Sequence, residues 1–345
     1  MAEPDHLIVA GASAGGVEAL RDFVAGLPED LPAAVLVVLH MPAGAASALA
    51  AILRRSGTLP TLTAEDGMRL TAGVVYVAVP DHHLLVSNER ILLSHGPTEN
   101  GRRPGINQLF RSAAITWGPR TIGVVLSGSL DDGTAGLSLI KAHGGLAVVQ
   151  DPEEAVYRSM PDSALAHVPV DFTLPARKIG AVLAESITTR VALPAPARPS
   201  SLARLEAEID AGEQQNSADV THLTHPVGFS CPDCGGPLYA LPDEARYRCR
   251  VGHGWTGEAL LVEQIVQTEK ALWTAVRVLE EKQQLVERMR SDALRRGQRR
   301  PADRFAEQSI EHEHAAAVLR RLLTHRNDGP GSSQETEPES APQFD

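Results

Sequence analysis

The sequence predicts an α/β protein: a doubly wound, mostly parallel sheet of Rossmann-like type, followed by a small zinc-binding module and a C-terminal helical hairpin. Three observations carry this reading. Short β-branched apolar runs recur through the first 190 residues, helical patterns follow several of them, and all three cysteines fall between positions 231 and 249. Runs that are apolar throughout suit strands covered on both faces, as parallel strands are. Strand–helix alternation marks the doubly wound class.

HLIVA (6–10) predicts the first strand and Gly16–Ala25 the helix after it. AVLVVLH (34–40) predicts the second strand, with a helix over Ala46–Arg55. VVYVAVP, HHLLVS and RILLSH, between 74 and 95, read as a short antiparallel excursion. TIGVVLSG (121–128) and LAVVQ (146–150) resume the parallel pattern around a helix at Gly133–His143. The uncharged stretch Leu31–Leu53 is long enough to cross a bilayer. Pro32, His40, Pro42 and Gly44 break it into two apolar blocks, which a buried strand and a helix explain better. Met1–Val9 lacks the basic and long apolar regions of a signal peptide, so the expectation is a soluble, cytoplasmic chain that is not membrane-embedded.

The texture changes near Ala192. Residues 1–190 read as one α/β domain, 191–227 as a Pro/Ala-rich and then polar linker with a short helix at Ser201–Ala211, and 228–257 as the cysteine module. In 258–326, Ile265, Leu272, Leu279 and Val286 recur every seven residues. A second helix restarts at Pro301 and runs through Leu319, Leu322 and Leu323, giving a helical hairpin or coiled-coil pair suited to self-association or partner docking. Residues 327–345 are acidic and disordered by composition. With 43% hydrophobic and 22% charged residues, wholesale disorder is excluded. A net charge of −11, with no basic stripe, excludes a nucleic-acid binder.

Gly11-Ala12-Ser13-Ala14-Gly15 places a G-x-S-x-G pattern between a buried strand and a helix, where a sharp turn lifts the serine hydroxyl above the sheet edge. A dinucleotide loop is the competitor. However, Ser13 stands where its second glycine would meet the pyrophosphate, and the acid expected at the end of the second strand is missing. A serine nucleophile needs a base, because its hydroxyl is un-ionised at neutral pH. His40, ending the second strand, supplies one, and Asp131 or Asp132 after TIGVVL supplies the carboxylate. All three arrive at the carboxyl edge of one sheet, where strand-end residues converge. The order Ser, His, Asp differs from the Ser, Asp, His order of α/β-hydrolases. His82, His83, His95, His143 and His167 read as ordinary surface or core histidines.

Cys231-x-x-Cys234, fourteen residues, then Cys249-x-x-x-His253 has the spacing of two metal knuckles. A complete Cys3His set implies a closed, structural zinc site and no cofactor for catalysis. A thioredoxin-like C-x-x-C would not account for Cys249 or His253. His225 is an alternative ligand.

Residues 6–188 resemble the catalytic domain of the CheB-type chemotaxis protein-glutamate methylesterases, through GASAGG, LHMP, GVVYVAVPDHH, GRRPGINQLFRSAA, GVVLSGSLDDGTAGL and SMPDSA. The resemblance implies a triad of Ser13, His40 and Asp132, the aspartate directly preceding Gly133. It also implies hydrolysis of glutamyl γ-methyl esters on methylated receptors, with glutamine deamidation as a side activity. The chain departs from the family at three positions: Ala14 replaces the usual Thr, and Ser129-Leu130 replace a Met-Gly pair whose Met amide serves the oxyanion. These changes favour the alternative of a weak or inactive signalling scaffold that docks partners through its zinc and helical modules. Arg102 and Arg103 are candidates to face an acidic receptor surface. The resemblance begins at the first strand, so the chain is expected to lack the family's usual receiver domain.

Overall fold

The computed structural model describes residues 2–44, 47–189, 197–213, 224–242 and 245–325. The chain divides into two compact units, Met1–Leu260 and Leu261–Asp345.

The first unit is built on seven parallel strands: β1 (His6–Ala12), β2 (Ala33–Leu39), β3 (Thr61–Thr63), β4 (Val75–Val77), β7 (Thr121–Val125), β8 (Leu146–Gln150) and β9 (Phe172–Leu174), in the order β3-β4-β2-β1-β7-β8-β9. Every residue of β1 is buried, because successive side chains enter two separate cores. Leu7, Val9, Leu36 and Val38 face helices α3 (Ile106–Trp117), α4 (Thr134–Ala142) and α5 (Ser159–His167). Ile8, Ala10, Val35 and Val37 face α1 (Gly16–Ala25), α2 (Leu49–Arg54) and α6 (Ala176–Thr189). Hence the continuous apolar runs. Leu31–Leu53 resolves into β2 and α2, and among the described residues no helix is long and apolar enough to cross a membrane.

The expected antiparallel excursion is only partly antiparallel. VVYVAVP contributes β4 to the parallel sheet, while β5 (His83–Ser87) and β6 (Arg90–Ser94) form a separate hairpin. Val75 and Val77 enter one core and Tyr76 the other, which only a central strand allows. The three-residue strands β3 and β9 are too short to show a period in the sequence.

Within 191–227, helix α7 (Ser201–Ala211) begins with Ser200 accepting a hydrogen bond from the Ala203 amide at 3.1 Å. The cysteine module is a four-stranded antiparallel sheet, β10 (His225–Ser230), β11 (Pro237–Ala240), β12 (Arg246–Cys249) and β13 (Gly254–Thr256). Helix α8 (Gly257–Arg295) follows directly.

The second unit holds the remainder of α8 and helix α9 (Arg299–His325). Arg320 donates from Nε to Glu280 Oε1 at 3.0 Å, which makes the two antiparallel neighbours. On α8 the heptad stripe is buried at Val286 but exposed at Ile265. On α9 the buried seam is Ala302, Ser309, Ala316 and Leu323, again seven apart, whereas Leu322 is exposed. Small residues let two helices approach closely yet do not stand out in a hydropathy pattern. The expected acidic tail, 327–345, lies outside the described residues.

Candidate active site and metal centre

Strand order reverses between β1 and β7, opening a crevice at their carboxyl ends where open α/β sheets place their functional groups. Ser13 follows β1, His40 follows β2, and the 127–133 loop follows β7. His40 Nδ1 lies 3.1 Å from Ser13 Oγ, and its Nε2 lies 2.7 Å from Asp132 Oδ2. The carboxylate contact fixes the ring proton on Nε2, so the Nδ1 lone pair faces the hydroxyl. Of the two candidate aspartates, only Asp132 reaches the imidazole.

Asp132 is held as an anion. Its Oδ2 accepts the Ile106 amide at 2.9 Å, and its Oδ1 accepts the amides of Asn107 at 3.2 Å and Gly133 at 2.9 Å. The first two are free N–H groups at the start of α3, where the helix dipole also favours negative charge. Burial pushes the Asp132 carboxyl up, but the His40 bond and charge, with these amides, outweigh it and hold it below the usual carboxylate range. Asp131 behaves oppositely. Burial raises it to about 6, only partly offset by the Thr256 hydroxyl, while Asp132 and Glu258 push the same way as burial.

Gly15 adopts φ +66°, and a Cβ there would stand 2.8 Å from Ser127 Oγ, so the elbow requires glycine. Ser127 Oγ donates to the Ala14 carbonyl at 2.8 Å and accepts the Tyr157 amide at 3.0 Å. With the Ala14 carbonyl turned toward Ser127, the planar trans peptide aims the Gly15 N–H the other way. The Ser13 amide is taken by the Ser127 carbonyl at 2.9 Å.

Of the polar residues bracing this loop, Asn107 lies within the GRRPGINQLFRSAA block, but its role is not legible in the sequence. Asn107 Oδ1 accepts the amides of Gly133 at 3.1 Å and Gly136 at 2.8 Å, and its Nδ2 donates to Glu99 at 2.9 Å. A polar side chain in the first turn after Pro104-Gly105, inside that block, is the signal the sequence offers. His83 is buried: its Nδ1 accepts the Gly105 amide at 3.2 Å and its Nε2 donates to the Pro97 carbonyl at 3.0 Å. Burial lowers it to about 4, so it stays neutral. Arg103 is spent on Asp81 at 2.7 Å and on the carbonyls of His95 and Gly96, which makes it a structural residue; Arg102 is exposed.

The ligand atoms of Cys231, Cys234, Cys249 and His253 all lie within 4.8 Å of one another. Cys234 Sγ is 3.7 Å from Cys249 Sγ, and His253 Nδ1 is 3.7 Å from Cys231 Sγ and 3.5 Å from Cys249 Sγ. A tetrahedron with metal–sulfur bonds of ~2.3 Å and metal–nitrogen bonds of ~2.0–2.1 Å has edges of roughly 3.8 and 3.6 Å, so the donor set fits a zinc-sized ion. His225, at the exposed start of β10, is not in the cluster.

The CheB methylesterase family model matches residues 8–183. A protein-glutamate methylesterase/protein-glutamine glutaminase of Methanosarcina mazei is 37% identical over 182 residues, half of each chain. A putative protein of the same description from Leptospira interrogans is 38% identical over 173 residues, covering 50% of this chain and 90% of that one. The crystal structure of the Thermotoga maritima CheB methylesterase catalytic domain superposes with a TM-score of 0.50 at 34% identity, covering 52% of this chain and 98% of that one. The chain thus spans about half the length of the Methanosarcina relatives it matches.

Proposed function

The chain belongs to the CheB methylesterase family, and on that footing we propose that it hydrolyses glutamyl γ-methyl esters on methyl-accepting chemotaxis-type receptors through Ser13, His40 and Asp132. The observation that supports this most is the imidazole of His40 bridging the Ser13 hydroxyl and the Asp132 carboxylate at 3.1 and 2.7 Å.

His40 Nδ1 takes the Ser13 proton as Oγ bonds to the ester carbonyl carbon. Asp132 keeps the ring oriented and stabilises its charged form without itself being protonated. The tetrahedral oxyanion is met by the backbone amides of Ala14 and Gly15, at the N-terminus of α1, where the dipole favours negative charge. Collapse breaks the carbon–methoxy bond, and the proton on His40 leaves with methanol. His40 then deprotonates water, which adds to the acyl carbon; the Ser13 ester bond breaks, and Ser13 recovers its proton as the receptor's glutamyl γ-carboxylate departs. Glutamine follows the same course with ammonia leaving. Replacing Thr by Ala at position 14 leaves the backbone donors in place.

We assign a structural zinc ion to Cys231, Cys234, Cys249 and His253. Three thiolates on one ion suit a reducing compartment, which supports the proposal of a cytoplasmic chain. On α8, exposed Leu261, Val262, Ile265, Val266 and Trp273 form an apolar face favouring self-association.

The test compares methanol release from methylated receptor by the wild type and Ser13→Ala, with zinc content measured on both. Release should vanish in the variant while one zinc per chain is kept in both. Full release by Ser13→Ala would refute the triad. Equal background signals would leave the scaffold alternative.

A further inference from the structure

We propose that the cysteine module is a positioning element for the esterase: it clamps the 127–133 loop, with Thr256 as the positioning residue, so that Asp132 stays in line with His40. This rests on the triad reading above.

Two independent routes run from the module to the loop. In the first, Thr256 Oγ1, at the end of β13, donates to Asp131 Oδ1 at 3.0 Å, one residue before Asp132. The segment before Thr256 is itself fastened to the catalytic domain. Gly254 N donates to the Thr98 carbonyl at 3.0 Å, Asn100 N donates to the Gly254 carbonyl at 2.8 Å, and Thr256 N donates to Asn100 Oδ1 at 2.9 Å. Leu130 packs into the module's core of Cys231, Leu238, Cys249 and Trp255. Its φ of +63° is one that a residue with a Cβ adopts only when its surroundings hold it there. The side chain that anchors this strained residue is therefore lodged beside two of the metal ligands.

The second route is ionic. Arg248, adjacent to the ligand Cys249, donates to Glu99 Oε2 at 3.0 Å. Glu99 receives Asn107 Nδ2, and Asn107 Oδ1 receives the Gly133 amide. Arg248, Glu99 and Asn107 are all buried. One carboxylate thus joins the β12 knuckle to the residue that follows Asp132. Thr98 adds a third fastening, donating to Asp233 between the first two cysteines at 2.8 Å. A loop held from both sides moves only if the module moves, and small misplacement of a catalytic group costs rate steeply.

Methanol release by the full chain is measured for wild type, Thr256→Val, Thr256→Ser and Ser13→Ala, with zinc content and melting temperature taken on each sample. Thr256→Val should keep its zinc and lose kcat on the order of tenfold with KM unchanged, and Thr256→Ser should restore it. Thr256 Oγ1 also accepts the Ala259 amide at 3.3 Å, so a drop in melting temperature with unchanged kcat would mean a helix cap and overturn the proposal. Thr256→Ser as slow as Thr256→Val would overturn it too. An active Ser13→Ala refutes the triad itself, whereas an inactive Ser13→Ala beside a fully active Thr256→Val refutes only the clamp.

Discussion

In the parallel sheet, Leu7, Ile8, Val35, Leu36, Ile122 and Val124 are fully buried against apolar neighbours, each worth ~1.5–3 kcal/mol. The cysteine module has little of this: beyond the two buried ligands, its core is Leu238, Trp255, Ala259 and Leu260. What attaches it is charge. Glu99, Glu206 and Asp210 meet Arg111 and Arg248, all buried, with Arg246 at the margin. Burial drives the Glu206 carboxyl up, but Arg111, Arg248 and Arg246 more than reverse it and hold it far below the ordinary range. Asp210 touches Arg111, yet its Oδ1 has no hydrogen bond, and burial prevails, raising it to about 6. The sheet is thus held by apolar burial, while the module is held to its neighbours largely by buried ion pairs. Asp132, the proposed catalytic aspartate, sits on a loop that touches both.

The sharpest way to break this contrast is at the triad. Asp132→Asn should lower kcat by as much as ~10⁴-fold, with circular dichroism and zinc content unchanged. The next effect is on attachment. Arg248→Met removes one of the two guanidiniums that Glu99 and Glu206 share, Arg111 being the other, which should cost at most about 3–5 kcal/mol. Limited proteolysis should then cut within 225–257 while the α/β domain stays intact. Simultaneous cleavage throughout would mean that the two regions unfold as one.

The smallest effect concerns Asp131. Its folded value of about 6 lies above the ordinary 3.8, so the folded state binds the extra proton between those values. Stability from this group is full below about 3.8 and lost as pH rises through about 6. At pH 8, Asp131→Asn should be more stable than wild type by at most about 3 kcal/mol, and at pH 3.5 equal to it. Denaturant midpoints across that range check this. A constant difference at all pH values would exclude titration of Asp131 as the cause.

Ser13, His40 and an aspartate at 131 or 132 were legible because strand-end chemistry on one sheet edge follows from the apolar runs before each residue, and only the family resemblance singled out Asp132. The cluster of Cys231, Cys234, Cys249 and His253 was legible because knuckle spacing is local. Glu99, Asn107, Arg248 and Thr256 were not: each is an ordinary polar residue, and Glu99 meets Arg248 across 149 positions. Ser309, buried between helices, was hidden for another reason, since a small polar residue carries no apolar signal.

The seven-stranded sheet is bounded by β3 and β9, each of three residues. Such stubs expose too little unpaired backbone to recruit an eighth strand from another molecule. Transient crowding of nascent chains therefore meets, at this sheet, blunt margins rather than a template for fibrillar growth.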